Sequence, residues 1–144
     1  MSVRETALAA LKATLAAALP LARVRRAEPL PDRYDPGGDV RIGDGDPGQP
    51  EVTLSPLVYT FRHAVPVVAV AQHATAATRA AMLDALLTTI GAAIAADRTL
   101  GGVVIWADVS APEMDAEGHI GATSVGTATI IVTLVYDVPG NALA

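Results

Sequence analysis

The stretch from Leu57 to Leu100 constrains the fold most: an alternating apolar run, then a helical stripe, then a pair of glycines that open onto another apolar run at Val103. Leu57, Tyr59 and Phe61 fall on one face of an extended chain, with Val58, Thr60 and Arg62 on the other, the period of a half-buried strand. From Val65 to Val70 both faces are apolar, which predicts a sheet covered on both sides. Pro66 has no N–H to give a ladder, so it calls for an edge, a bulge or a hairpin corner. One bent strand is the preferred reading, and a hairpin is the alternative.

The helix is expected to start at Thr75 or Thr78 and to run to about Asp97, where Gly101 and Gly102 stop it. Leu83, Leu87, Ile90 and Ile94, widened by Met82 and Leu86, form one stripe to cover the sheet. Ala81, Ala85, Thr88, Ala92 and Ala96 make an uncharged face of small side chains, suited to close packing by a helix or a second subunit. The same alanines also serve helix propensity alone.

At 144 residues the chain fits one domain, 1–144, with a sizeable core. Leu8, Leu11, Leu15 and Leu19 form a stripe behind a Ser2/Glu5 capping box, so the apolar beginning reads as an amphipathic helix and not as a signal sequence. A short strand over Ala22–Arg26 carries Arg23, Arg25 and Arg26, which either meet an acidic partner or guard a solvated edge. Most of the prolines lie between Glu28 and Pro56, predicting a long arm over 28–56 with at most a short strand at Val40–Ile42. A strand is expected over Val103–Val109, a loop over 110–122 bearing Glu113, Asp115, Glu117 and His119, and a last strand over Thr127–Val138. Gly118–Tyr136 carries no formal charge, yet its glycines, threonines and alternation argue for strand over a membrane span. The expected fold is α+β: a mixed or mostly antiparallel sheet of about four strands with two helices packed on one face.

The net charge of −5 argues against a module that grips phosphates through a basic face. No cysteine is present, which excludes disulfides, thiol catalysis and cysteine-type zinc sites. Asp44, Asp46 and Glu51, with Asp39 nearby, could offer oxygens to a hard cation, but they lack EF-hand spacing, and Asp-Gly pairs are ordinary turn formers. His63, His73 and His119 have no His-x-x-x-His spacing, and Ser55, Ser110 and Ser124 sit in no nucleophile elbow. No catalytic, cofactor-binding or metal-ligating residue is assigned, and an enzyme is not expected.

Two segments carry a family resemblance: Asp44-Gly45-Asp46-Pro47-Gly48 followed by Glu51-Val52-Thr53-Leu54-Ser55-Pro56-Leu57-Val58-Tyr59, and Ile90 through Gly102. With the element order, they resemble the lambda-type tail terminator proteins of long-tailed phages and of gene transfer agents, in a group encoded in alphaproteobacterial prophage and gene-transfer-agent clusters. The resemblance implies a virion structural protein, assembled in the bacterial cytoplasm, whose hexameric ring ends the tail tube and joins it to the head. Its implied partners are further copies, the tail tube protein and a head-completion or neck protein. DNA would pass through the lumen without specific binding, which suits an acidic chain. Members sometimes carry an acyl-CoA transferase label. Glu51 and Glu113 lie here without a frame to present either to coenzyme A, so a small transferase-like enzyme is a distant alternative, beside a monomeric ligand-binding module.

Overall fold

The computed structural model describes residues 1–26, 35–114, 118–120 and 123–144. Helix α1 (Val3–Ala18) begins where Ser2 Oγ accepts the Glu5 N–H at 3.2 Å. The reciprocal half of the capping box is replaced: the Glu5 carboxylate accepts from Arg26 Nη2 at 2.8 Å, tying the helix start to the first strand. Leu8, Leu11, Leu15 and Leu19 are all buried, as their spacing requires.

The strands are β1 (Arg23–Arg26), β2 (Asp39–Ile42), β3 (Glu51–Thr53), β4 (Val58–Gln72), β5 (Trp106–Val109), β6 (Glu113–Met114), β7 (Gly118–Ile120) and β8 (Thr123–Pro139). They form one sheet in the order β1-β2-β4-β8-β5, with β3 also on β4 and both β6 and β7 on β8. Only β1 and β2 run parallel, so the sheet is mixed and mostly antiparallel. Among the described residues there are eight strands, not about four. Those the sequence hid are β3, β6 and β7, of three, two and three residues, too short to show a period.

The 15-residue β4 and the 17-residue β8 pair along the whole of β4 and make the spine. β4 is one strand, and Pro66 lies inside it. Ala64 exchanges both backbone hydrogen bonds with Asp46, and the Pro66 carbonyl accepts from Gly43 N–H at 2.9 Å, so these residues turn their backbones toward the β2 side. The reciprocal bond of that pair, from residue 66 to Gly43 O, is the one proline cannot make, and it is there that the chain leaves β2 between Gly43 and Asp46.

Helix α2 (Ala76–Ala96) has Thr75 at its N-cap position and Asp97 at its C-cap, matching the first of the two predicted starts, although the Thr75 side chain makes no capping hydrogen bond. By length and composition alone it could cross a membrane. Here its stripe packs onto β4 and β8, and α1 packs beside it on the same face. Leu83, Leu86, Ile90 and Ile94 are buried, while Leu87 is only half-buried, which corrects its place in the stripe. The sheet contributes Phe61, Val65, Val67 and Ala69 from β4 and Ala128, Ile130, Val132, Leu134 and Tyr136 from β8.

Four other expectations change. No helix lies on the opposite sheet face among the described residues, so the sheet is not covered on both sides. Leu100–Val104 is a turn in which Thr99 O accepts from the Gly102, Val103 and Val104 N–H groups, and this delays the strand to Trp106. The stretch from 28 to 56 is, from Asp39 on, tied to the sheet at three places: β2 is inserted between β1 and β4, Asp46 bridges to Ala64, and β3 pairs with the start of β4. Likewise β6 and β7 lie within the expected loop over 110–122. Residues 27–34, 115–117 and 121–122, and with them Asp115 and Glu117, lie outside the described residues.

Candidate interaction surface

Alternation along the two long strands sends every second side chain away from the helices. On β4 these are Arg62, Ala64, Pro66, Val68 and Val70, facing Val135, Thr133, Ile131, Thr129 and Thr127 of β8. Trp106 and Asp108 of β5 extend the same face, since they sit opposite Val135 and Thr133. Val70 and Val135 are buried by their neighbours, but Arg62, Ala64, Ile131 and Trp106 are exposed. Trp106, the sole tryptophan, remains 49% exposed. A shallow depression lined by Arg62, Trp106, Asp108, Ser110, Thr133 and Val135 marks this end of the face.

Arg98, just beyond α2, clasps the rim. Its Nη1 donates to Ala107 O and to Asp108 Oδ1, each at 3.1 Å, and its guanidinium lies 4.9 Å from the Trp106 ring centre. Asp108 Oδ1 also accepts from the Val109 N–H at 2.9 Å. Ser110 N–H bonds Ile131 O on β8, so by alternation the backbones of Ala107 and Val109 point away from the sheet. The carbonyl of one and the N–H of the other are thus occupied by side chains, a device that blunts an edge strand against added strands. Asp97 holds the approach in shape by accepting from Thr99 N–H, Thr99 Oγ and Gly101 N–H, and the Thr99 hydroxyl is the main reason that its carboxyl titrates below the usual range.

A second apolar region projects from the hairpin between β3 and β4. Leu54 is 75% exposed, with Val52 and Leu57 beside it, across a turn in which Ser55 has φ 64° and the Ser55–Pro56 bond is cis. On α2, Ala81, Ala85, Thr88, Ala92 and Ala96 are all exposed, so among the described residues no other element covers the small-residue face.

The polar residues singled out from the sequence are not gathered into one place. Asp39 is fully buried and pairs with Arg25 Nε at 3.0 Å, while its Oδ2 accepts from Asp35 N–H at 2.9 Å. Asp44 accepts from Arg26 at 3.2 Å, and Asp46 Oδ1 accepts from Gly48 N–H at 2.8 Å in its own turn. Glu51 is on β3 and Glu113 on β6, at opposite sides of the sheet. Among the described residues no group of three or more His, Asp or Glu could hold a metal. Ser55 lies in the hairpin turn and Ser124 within β8; Ser110 Oγ donates to Ala111 O and accepts from Ile131 N–H. His73 Nδ1 accepts from Thr75 N–H at 3.0 Å at the start of α2. The structure gives His119 a place only in the β7 backbone.

His63 is the polar centre of the core, which spacing alone did not reveal. It is fully buried on the helix side, with Nε2 2.6 Å from Asp44 O and Nδ1 2.9 Å from Tyr136 Oη. A carbonyl can only accept, so Nε2 carries the proton, and the neutral ring accepts the Tyr136 hydroxyl at Nδ1. Burial pushes the His63 pKa down and the Tyr136 pKa up. The signal available in the sequence was only that His63 shares the parity of Phe61 and Val65.

No family model matches the chain, and no curated protein matches it. Among solved structures it is similar to a chain from the virion of native gene transfer agent (GTA) particle. The TM-score is 0.39 and the identity 15%, over 92% of this chain and 94% of that one.

Proposed function

We propose that this chain is a structural protein of a phage or gene-transfer-agent particle, one whose copies form a ring that ends the tail tube and joins it to the head. The family reading comes from the two segments that carry the sequence resemblance. They occupy the Asp44–Tyr59 path into the β3–β4 hairpin and the α2 terminus that leads to the Arg98 clasp. The observation that carries the structural side is the apolar surface left open on a chain with a filled core: Trp106 and Ile131 on the sheet face, and Val52, Leu54 and Leu57 on the hairpin. We take these two groups of exposed apolar side chains as contact points for neighbouring copies. The work of such a ring is mechanical, in holding neighbours and leaving a passage.

Light scattering on the purified chain, alone and with polymerised tail-tube protein, tests the reading. A ring in either condition is the expected result. A strict monomer in both, with saturable heat on titration with coenzyme A, would replace it with a small enzyme. Saturable binding of another small molecule by such a monomer would instead favour a ligand-binding module.

A further inference from the structure

The two sides of the sheet differ in charge and shape at one level of the strands. On one side, β1 starts with Arg23, which is exposed and belongs to none of the ion pairs among the described residues. Its neighbours are occupied: Arg25 by Asp39, and Arg26 by Glu5 and Asp44. Two residues before Arg23, on the turn leaving α1, Leu21 is 83% exposed. On the other side, a groove between α2 and β6 is lined by Leu83, Leu87, Pro112 and Met114, with Asp84 in its wall. Glu113 precedes Met114 on β6, and both carboxylates are exposed. Arg79 also lines the groove, but its Nη1 donates to His73 O at 2.7 Å.

The pairing register sets these features within two pairs of one another. Arg23 is opposite Asp39, Asp39 opposite Val70, and Val70 opposite Thr127. Two pairs along, Val68 is opposite Thr129, and Thr129 is opposite Glu113. A row that begins in an arginine outside the ion pairs of the described residues, beside an exposed leucine, thus ends across the sheet in Glu113, next to an apolar groove. Complementary sides on one subunit make a heterologous, head-to-tail contact, the kind that closes into rings.

We infer that copies of this chain join head to tail, with Leu21 of one subunit seated in the groove framed by Asp84, Leu87 and Met114 of the next, and Arg23 set against Glu113, which lies beside the groove on the open face whose parity Arg23 shares. This rests on the ring reading above and supplies its subunit contact. The clasp on β5 fits it, because with outward groups of that strand occupied the contact is made by side chains and not by strand addition. The matched charges would fix the register of the seat, and the apolar pair would supply its burial.

The test is charge exchange in the full chain, read by light scattering or, if rings need the tube, by co-sedimentation with polymerised tail-tube protein. Arg23→Glu and Glu113→Arg should each weaken association about tenfold or more, the scale of an interfacial like-charge clash. The double variant should recover most of the loss. Both positions are exposed, and unchanged thermal melting of each variant would confirm that folding is intact. Single variants that assemble like the wild type, or a double variant with no recovery, would overturn this contact and leave the ring reading standing. A wild type that assembles in neither condition would overturn both.

Discussion

The helix-covered face and the open face of the sheet are built from alternate residues of the same two strands, yet they are different materials. Toward the helices, β4 and β8 present Phe61, Val65, Val67, Ile130, Val132 and Leu134, all buried, with one satisfied polar pair, His63 and Tyr136. Away from them the same strands present Arg62, Ala64, Thr129, Ile131 and Thr133, and the burial there is partial. Since backbone pairing is shared, the difference lies in side chains alone. One face holds the fold, and the other leaves side chains free to meet a neighbour. Arg25 and Asp39 are the exception, a buried ion pair whose residues have the parity of the open face.

That exception gives the largest expected effect. Asp39→Ala strands the buried Arg25 guanidinium and should cost about 3–5 kcal/mol in a denaturant titration. A loss under about 1 kcal/mol would mean that water reaches this pair and that the open face bears no structural weight. On the helix side, Ile90→Ala should cost about 2–5 kcal/mol, and Leu87→Ala clearly less because Leu87 is half-buried; equal losses would show that the covered face is wider than described.

Acid separates the faces next. His63 is held neutral with its pKa below the ordinary 6.5, so the unfolded chain binds the proton more readily. Its contribution to stability is complete above that value and is lost as the pH falls through it toward the folded pKa. Melting midpoints measured from about pH 7.5 down to about pH 5.5 should fall for the wild type, with a shallower slope for His63→Asn. Parallel slopes would remove His63 as the cause. The smallest effect belongs to the open face: Ile131→Thr should change stability by no more than about 0.5 kcal/mol, which chemical denaturation can check. A larger loss there would mean that the two faces share the work of folding.

Much of this arrangement could be read from residue order. The stripes Leu8/Leu11/Leu15/Leu19 and Leu83/Ile90/Ile94, the single strand through Pro66, and the last long strand all follow from periods maintained over many residues. Leu87 was misplaced because a helical stripe has a width that spacing does not set, and the flat side of the sheet decides which border is dry. The arm was misjudged for a different reason. Proline and glycine mark the bends at Pro36–Gly38 and Asp44–Gly48, but Asp39–Ile42 between them is short, and it is held by neighbours distant in sequence. Arg41 therefore sits inside the sheet, and brief trypsin treatment with mass spectrometry should leave the bond after it intact. The Arg98 clasp was invisible for a related reason: it joins a helix end to a strand carbonyl through a turn of positive-φ residues, Leu100, Gly101 and Gly102, with no periodic trace.

The clasp also bears on where growth can stop. A bare strand edge is a template with no memory, because any extended chain can hydrogen-bond to it and each addition exposes the same template again. Arg98 and Asp108 occupy that template on β5 with groups belonging to the subunit itself. Whatever settles beside β5 must then be recognised by its shape and charge. Recognition of that kind has a fixed angle, and a fixed angle repeated from copy to copy would close on itself only where it divides a full turn, and otherwise wind on as a helix.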